Sequence, residues 1–493
     1  MNRRFLAPLL FLSLAAPACD DSSGTAAPTQ RFLTDDQGRA LILHGVNVAS
    51  SAKTTPLRVP AQFEEADAAA LAERWGFNFV CYLVSWDGLE PTPGVIDTAY
   101  LDRIQTRLDW FAAHGIHVLV DMHQDVYSIS TCGNGFPDWA IRSDGIAMEP
   151  CYPVWSANYN QPAVVRAFDN FWAYDQGAHA DLQDHYTNAW KVLAERFRDH
   201  PAVIGYDLIN EPHPGSAWGY DVGSLEELYR DQYTAFDTQK LAPFYQRCID
   251  AIRSVDPDTY IFFEPRYGTP GDGSPSYLPK LDDPRTGDDR LVLAPHFYSI
   301  AYEATSMYAP GNDATMRFEA RRREEMLALG TPLVIGEWGF DQGFPGATQY
   351  MDDVHAMADS LMAGWAYWSW DPGVGGWAFT ARNVDPVSGA ITYVENPNSD
   401  LIVRPYPRAV AGQPVSFSYD RTTRVFELVF DSKKGVTGPT EIYVPKRRHY
   451  PGGFVVESSD PAASFSYTFD DATEILSVTV PSRGRHTIHV RPM

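Results

Sequence analysis

Short apolar segments that resemble strands alternate with segments of helical periodicity about eight times between residues 31 and 394. A strand followed by a helix, repeated in this way, predicts a parallel sheet with right-handed crossovers. Eight units favour closure into a barrel, which takes about 250 residues or more. No G-x-G-x-x-G follows a strand, which disfavours a dinucleotide-binding fold. We therefore expect an α/β chain whose larger part, residues 31–394, is a (β/α)8 TIM barrel.

The predicted barrel elements are separated by turn residues and by one long loop. The predicted strands are 41–47, 79–85, 116–121, 203–208, 260–263, 291–295, 333–336 and 364–369. Helical periodicity marks 64–74, 97–114, 181–198, 225–255, 314–329 and 351–362. Residues 123–180 are rich in Trp, Tyr, Gly and Pro and are predicted to be the long loop, of the kind that shapes access to a barrel site.

The pattern changes near residue 395. From there to residue 493 the segments are short, alternating and rich in β-branched and aromatic residues, with turn residues between them. This pattern is typical of antiparallel strands. We expect a C-terminal antiparallel β-sandwich domain over residues 395–493.

Residues 1–19 have the features of an export signal. Arg3 and Arg4 precede an apolar stretch that is too short to span a membrane, and small residues lead to Cys19. The segment resembles a bacterial lipoprotein signal in which Cys19 becomes the lipidated N-terminus, although Ala16 stands where Leu is usual. We expect residues 20–30 to be a flexible tether, and the protein to be exported to the cell envelope as a lipoprotein or secreted.

The expected export of the protein also bears on the state of its other four cysteines. Cys132 and Cys151 flank the aromatic- and Gly-rich loop, and export makes a disulfide between them the expected state. Cys81 and Cys248 lie in apolar or helical patterns and are predicted to be buried free thiols. No spacing of Cys and His is typical of a zinc site, and we expect no metal or other cofactor.

The net charge of −24 bears on the partner of the protein. Nucleic-acid binding rests on basic patches, and docking to anionic lipid also needs positive charge. The charge therefore disfavours nucleic acid and anionic lipid as partners, and neutral sugars or a neutral lipid fit better.

We also expect the protein to be a monomer.

Polar side chains follow nearly every predicted barrel strand, and two of them are glutamates. Glu211 follows the fourth strand and Glu337 the seventh, so both are placed on the catalytic face of a barrel. Two carboxylates meeting there suit glycoside hydrolysis, in which one protonates the leaving oxygen and the other attacks the anomeric carbon. Trp370, after the eighth strand, is placed to stack on a sugar ring.

The motifs around these residues resemble glycoside hydrolase family 5, and longer stretches resemble its endoglycoceramidase subgroup. The family motifs are Asn210-Glu211-Pro212 with Glu337, His296-Phe297-Tyr298, and Trp368-Ser369-Trp370. The stretches that resemble the subgroup are 121–127, 167–172, 206–212 and 404–412. The resemblance implies a retaining endo-glycosidase that cleaves glycosphingolipids between glycan and ceramide.

The resemblance also implies a role for each matching residue. Glu211 is expected to be the acid/base and Glu337 the nucleophile. Asn210 is expected to bind the sugar 2-hydroxyl, and Tyr298 to hydrogen-bond the nucleophile. The residues expected to line the first sugar subsite are His123, Asp125, His296 and Trp370.

One position departs from the family pattern. The family usually has Arg on its second strand beside the nucleophile, and this chain has Cys81. We expect another cation to approach Glu337 instead, with His296 and His123 the leading candidates. Two alternatives stay open: the same chemistry on another β-glycoside, such as a β-glucan or steryl glucoside, or a glycolipid-binding surface protein whose catalysis is impaired at Cys81.

Overall fold

A computed structural model describes residues 29–174, 179–217, 226–268, 273–309, 311–370, 377–481 and 483–493. The predicted signal, residues 1–19 with Cys19, lies outside the described residues, as does most of the tether. Within the described part of the chain, no helix has both the length and the apolar character needed to cross a membrane.

The larger part of the chain is a parallel barrel. Its eight described strands are β1 (His44–Val48), β2 (Phe79–Val84), β3 (His117–Met122), β4 (Val203–Asp207), β5 (Tyr260–Phe263), β6 (Leu291–Leu293), β7 (Val334–Trp338) and β8 (Gly364–Tyr367). They pair in the order β6-β5-β4-β3-β2-β1-β8-β7. Parallel bridges from Leu293 to Leu333 and from Phe297 to Trp338 join β6 to β7 and close the ring. The predicted barrel is confirmed.

The first ten described helices surround the barrel or belong to its loops, and the last two belong to the C-terminal region. They are α1 (Glu65–Glu73), α2 (Trp86–Leu89), α3 (Thr98–Ala113), α4 (Pro162–Phe171), α5 (Ala180–Phe197), α6 (Glu226–Phe236), α7 (Ala242–Arg253), α8 (Ile300–Thr305), α9 (Ala314–Leu329), α10 (Ala347–Leu361), α11 (Ser399–Ile402) and α12 (Lys446–His449). The ends of α3 show how local sequence sets such bounds. The Asp97 carboxylate accepts the N–H of Tyr100, and Gly115 follows the helix at φ 64°, as expected for a stop.

Alternate residues of each strand divide between two cores, because successive side chains of a strand point to opposite faces. Phe79 and Cys81 of β2 pack inside the barrel with Leu119 and Phe262. Val80, from the same strand, packs outward in the larger core. Polar side chains at the carboxyl ends of the strands are thereby placed above a filled barrel interior.

The C-terminal region is antiparallel. Its strands are β9 (Thr380–Val384), β10 (Ile391–Glu395), β11 (Tyr406–Val410), β12 (Gly412–Asp420), β13 (Val425–Ser432), β14 (Thr440–Tyr443), β15 (Phe454–Ser458), β16 (Ser466–Asp470), β17 (Ile475–Thr479) and β18 (Arg485–Pro492). Among the described residues, β9 and β10 form a hairpin, and β12-β13-β18-β15 form one sheet. A second sheet contains β11-β14-β17-β16, which confirms the predicted two-sheet character.

The beginning of the described chain joins this second sheet. Ala40–Leu41 pairs with β11, where Leu41 lies opposite Ala409, and Leu33–Thr34 forms the outer edge. The prediction that the first barrel strand begins at residue 41 was therefore wrong, since β1 begins at His44. These early residues connect the barrel to the C-terminal sheets.

Candidate active site

Glu211 and Glu337 meet at the carboxyl ends of the strands. One carboxylate oxygen of Glu211, one of Glu337 and a ring nitrogen of His296 lie within 4.8 Å of one another. The carboxyl groups are about 5–5.5 Å apart in retaining glycosidases and about 6.5–9.5 Å apart in inverting ones. Single oxygens of the pair within 4.8 Å of each other favour the shorter spacing over the longer one.

The two oxygens of Glu337 have different surroundings. Oε2 accepts a 2.7 Å hydrogen bond from the hydroxyl of Tyr298. Oε1 is buried and has no partner among the described residues. Burial raises the pKa of Glu337, while His296 and His123 act in the opposite direction. The carboxylate is thus oriented through one oxygen, which leaves the other for a reacting atom.

Asn210 is held by Gln124, which lies in the loop after β3. Its Nδ2 donates to the backbone oxygen of Gln124 at 2.9 Å, and Gln124 Nε2 donates to the backbone oxygen of Asn210 at 3.0 Å. Asn210 Oδ1 is buried and, within the described chain, lacks a hydrogen-bond partner. A buried acceptor of this kind suits a sugar hydroxyl, as expected for the residue beside the acid/base.

His296 lies between carboxylates on several strands. Its Nδ1 is 3.1 Å from Glu211 Oε1 and 3.6 Å from Glu337 Oε2. Its Nε2 is 3.3 Å from Oε1 of Glu264, which follows β5. Burial lowers the pKa of His296, but Glu264 and Glu337 outweigh it and hold that pKa well above its usual value. Of the two histidines expected to approach Glu337, His296 thus lies 3.6 Å from its carboxylate, and its raised pKa favours the protonated form.

A second polar cluster occupies the ends of β1 and β3. His123 Nδ1 lies 2.7 Å from Asp121 Oδ2, and Lys53 Nζ lies 2.7 Å from Asp125 Oδ2. Burial lowers the pKa of His123, but Asp121 and Asp125 raise it to about 9. Burial also disfavours charge on Asp125, yet Lys53 and His123 hold its pKa far below the usual range. The cluster places largely buried charged groups at the carboxyl ends of β1 and β3.

Sequence reasoning missed Lys53 and gave Trp368 no separate role. Lys53 ends a short 3-10 turn, Ser50–Lys53, after β1, and its Nζ lies 4.2 Å from the ring centre of Trp368. Trp368 stacks on His123 with ring centres 5.7 Å apart and an interplanar angle of 16°. Trp368 was visible in its motif, whereas no local pattern marks Lys53.

Trp370 does not present the exposed face that the sugar-stacking prediction requires. It is 1% exposed and packs edge-on against Phe63, with ring centres 4.9 Å apart. Its backbone N–H donates to the oxygen of Asn47 at 3.0 Å. The prediction is corrected, because Trp370 is part of the packing behind the site and the partly exposed Trp368 is the better candidate for stacking.

The cysteine predictions have clear outcomes. Cys132 and Cys151 form a disulfide with Cα atoms 5.7 Å apart, and Cys81 and Cys248 are buried free thiols. Burial raises the pKa of Cys81, and Asp121, Asp207, Glu337 and Glu264 raise it further. Cys81 is therefore a neutral thiol inside the barrel, close to the acidic groups below the site.

Among the residues that the structure describes, two sets of side chains have donor atoms close enough to hold a metal ion, and both contain Glu337. In one, donor atoms of Asp121, His123 and Glu337 lie within 4.8 Å of one another; the other is Glu211, His296 and Glu337. A metal needs a neutral imidazole. Both histidines have raised pKa values, so these sets are better suited to hydrogen bonding with ionised carboxylates.

The closed barrel and its paired glutamates define a glycoside hydrolase. The chain belongs to glycosyl hydrolase family 5: the family model described as cellulase (glycosyl hydrolase family 5) matches residues 35–374. The model described as the glycoside hydrolase family 5 C-terminal domain matches residues 404–490. The family resemblance predicted from the motifs is confirmed.

Similar proteins include enzymes that act on glycolipids. Endoglycoceramidase I of Rhodococcus hoagii (strain 103S) is 32% identical over 438 residues, covering 86% of this chain and 80% of the relative. A solved structure of endo-glycoceramidase II from Rhodococcus sp. in complex with ganglioside GM3 is 38% identical, with a TM-score of 0.83. Another, described as the lactosyl-enzyme intermediate of that enzyme, is 39% identical, with a TM-score of 0.81. Both alignments cover 94% of this chain and 100% of the other.

Proposed function

We propose that the protein is a retaining endo-glycosidase that hydrolyses the β-glycosidic bond between the glycan and the ceramide of glycosphingolipids. The observation that carries the proposal is the meeting of Glu211 and Glu337 within 4.8 Å at the end of the barrel. The endoglycoceramidase relatives, which align along most of the chain, support the substrate class.

The first step forms a glycosyl-enzyme. Glu337 Oε1 attacks the anomeric carbon, the bond from that carbon to the ceramide oxygen breaks, and Glu211 gives its proton to that oxygen. Tyr298 orients the nucleophile through Oε2. Asn210 Oδ1 accepts a hydrogen bond from the sugar 2-hydroxyl, an interaction that strengthens in the transition state.

The second step releases the glycan. Glu211, now ionised, takes a proton from water, and the oxygen of that water attacks the anomeric carbon as the bond to Glu337 breaks. Two displacements restore the original anomeric configuration. The imidazolium of His296 keeps positive charge near both carboxylates while the negative charge moves between them.

The ceramide is placed on the side of Glu211, because this residue protonates the leaving group. Tyr159 stacks on His213, two residues past Glu211, with ring centres 4.7 Å apart, and Trp155 lies against Tyr159 at 6.3 Å. Residues 150–155 are all exposed and carry no charged side chain, and Trp155 is 55% exposed. Such a segment suits contact with lipid better than contact with a second sugar.

The substrate class is tested by mass spectrometry of the products from a mixed panel of glycosphingolipids, β-glucans and steryl glucosides. Intact glycan and intact ceramide in equal amounts support the proposal. Products from the glucans or steryl glucosides alone would show the same chemistry on another β-glycoside. Binding of glycolipid without any product would show a glycolipid-binding protein with impaired catalysis.

We also propose that the protein is exported, lipidated at Cys19 and monomeric. The basic start, the short apolar stretch and the small residues before Cys19 support the lipidation. Incorporation of a labelled fatty acid that is lost in Cys19→Ser is the expected result. Equal labelling of both proteins contradicts the anchor.

A further inference from the structure

Glu264 has no part in the chemistry above, yet it contacts two groups of the site. Its Oε1 lies 3.3 Å from Nε2 of His296, and its Oε2 accepts the backbone N–H of Glu211 at 3.0 Å. Glu264 is 2% exposed. Its Oε2 is therefore fixed by a hydrogen bond, whereas its buried Oε1 lies at ion-pair distance from the imidazole and has no hydrogen-bond partner among the described residues.

The imidazole of His296 faces carboxylate oxygens from both ring nitrogens. Nδ1 faces Glu211 and Glu337, and Nε2 faces Glu264. In a neutral imidazole one ring nitrogen carries the N–H and the other carries a lone pair. In this position the lone pair would face a negatively charged carboxylate oxygen, and the two would repel each other. One extra proton between Glu264 and His296 removes this conflict. Either both ring nitrogens donate, or a protonated Glu264 donates to Nε2.

We propose that Glu264 is a positioning residue that shares one proton with His296, so that Nδ1 presents an N–H to the two catalytic carboxylates across the working pH range. The identity of those carboxylates rests on the proposed function. The effect on catalysis passes through His296, since Glu264 contacts the imidazole and the backbone of Glu211.

The backbone of Glu211 gives a second, independent reason for the position of Glu264. Glu211 has φ 43°, in the left-handed region that few non-glycine residues adopt. The hydrogen bond from its N–H to Glu264 holds that conformation. Glu264 thereby fixes the backbone position from which the Glu211 side chain extends. Through His296, it also sets the charge next to the Glu211 carboxylate.

Ionisable groups from several elements surround this pair. They are Asp121 on β3, Asp207 on β4, Glu337 on β7, Cys81 on β2 and Tyr245 on α7, with Tyr298 and His123 beside Glu337. Burial raises the pKa of Glu264 to about 8 against the opposing effect of His296. Burial, Glu264 and Asp121 also raise the pKa of Asp207. In these acidic surroundings a proton shared by Glu264 and His296 is retained to high pH.

The test is Glu264→Gln, which has nearly the same shape. The new amide oxygen still accepts the N–H of Glu211, and its NH2 group faces His296 Nε2, so the variant is expected to fold. NMR of histidine-labelled protein, with the His296 signal assigned by its loss in His296→Asn, reports protonation directly. In the original protein His296 stays protonated well above pH 6.5; in the variant its pKa falls by about one unit or more.

Kinetics give a second readout with an aryl glycoside that has a good leaving group. Loss of the imidazolium leaves Glu337 protonated at higher pH, so the acidic limb of kcat/KM moves up by about one pH unit. The matched control is Glu427→Gln, which removes another carboxylate 2.7 Å from a histidine, His489, on the C-terminal sheets. Glu427→Gln is expected to leave the acidic limb of kcat/KM unchanged.

Two results would overturn the inference: the same His296 titration in both proteins, or an acidic limb that does not move. A loss of activity in Glu264→Gln without a shift in either would show a purely structural role. If the original protein cleaves no glycoside, the proposed function fails, and the NMR titration still decides whether Glu264 and His296 share a proton.

Discussion

The hydroxyl of Tyr298 donates a 2.7 Å hydrogen bond to Oε2 of Glu337, across the seam where β6 and β7 close the barrel. Burial raises the pKa of Tyr298, and the negative charge of Glu337 raises it further, so the phenol remains a donor. The bond stabilises the ionised form of Glu337 and selects which of its oxygens stays free.

Tyr298→Phe tests that bond. A hydrogen bond to a charged group contributes about 1.5–3 kcal/mol, so kcat/KM should fall by roughly tenfold to 150-fold. The donor favours the ionised form of Glu337, and its loss raises the pKa of Glu337 further. The acidic limb of the pH–rate profile should therefore move to higher pH. An unchanged limb would show that Tyr298 does not contact the reacting carboxylate.

Glu337→Gln and Glu211→Ala should fail in different ways. Glu337→Gln should abolish turnover of every substrate, because the carboxylate that attacks the anomeric carbon is gone. Glu211→Ala should still form the glycosyl-enzyme from an aryl glycoside with a good leaving group, and azide should then release a glycosyl azide. Azide rescue of Glu337→Gln instead, with none for Glu211→Ala, would reverse the two roles.

Trp368 and Trp370 should separate binding from stability. Trp368→Ala removes the ring that stacks on His123 and lies beside Lys53, and should lower kcat/KM by at least about tenfold, or 1.4 kcal/mol. Trp370→Phe alters packing against Phe63 and should lower the melting temperature with little change in KM. The opposite pattern would restore Trp370 as the sugar-stacking residue.

Trp155 should matter only when the substrate is in a lipid surface. Trp155→Ser removes the largest exposed side chain of residues 150–155, and should lower hydrolysis of a glycosphingolipid in neutral vesicles by about tenfold. Hydrolysis of a water-soluble aryl glycoside should not change. Tyr467→Ser, which alters an exposed aromatic residue on the C-terminal sheets, is the control. Equal losses on both substrates for Trp155→Ser would contradict lipid contact.

Local patterns predicted most of the barrel. The strand at Tyr260–Phe263 has the predicted bounds, and other strands differ by a few residues, because a buried parallel strand is a continuous apolar run. The first strand was misplaced because Leu41 pairs with Ala409, which is remote in sequence. An apolar run alone does not reveal which sheet its first residues join.

Site residues that lie in a sequence motif were predicted. Residues that reach the site only through the folding of distant loops were not. Glu211, Glu337, Asn210 and Tyr298 stand in recognisable motifs at the ends of strands. Lys53 reaches Asp125 only because the loops after β1 and β3 converge, and a pattern along the chain does not report that contact. Trp370 was misjudged because the two tryptophans of one motif pack in different surroundings.

The most direct measurement follows one β-linked glycosphingolipid by proton NMR at early times while free ceramide is quantified in the same sample. Double displacement by Glu337 and Glu211 predicts that the β-anomer of the free glycan appears first, mutarotates later, and is matched mole for mole by ceramide. The α-anomer as the first product would show inversion and exclude Glu337 as the nucleophile. Glycan release without equimolar ceramide would show cleavage at another bond and contradict the proposed function.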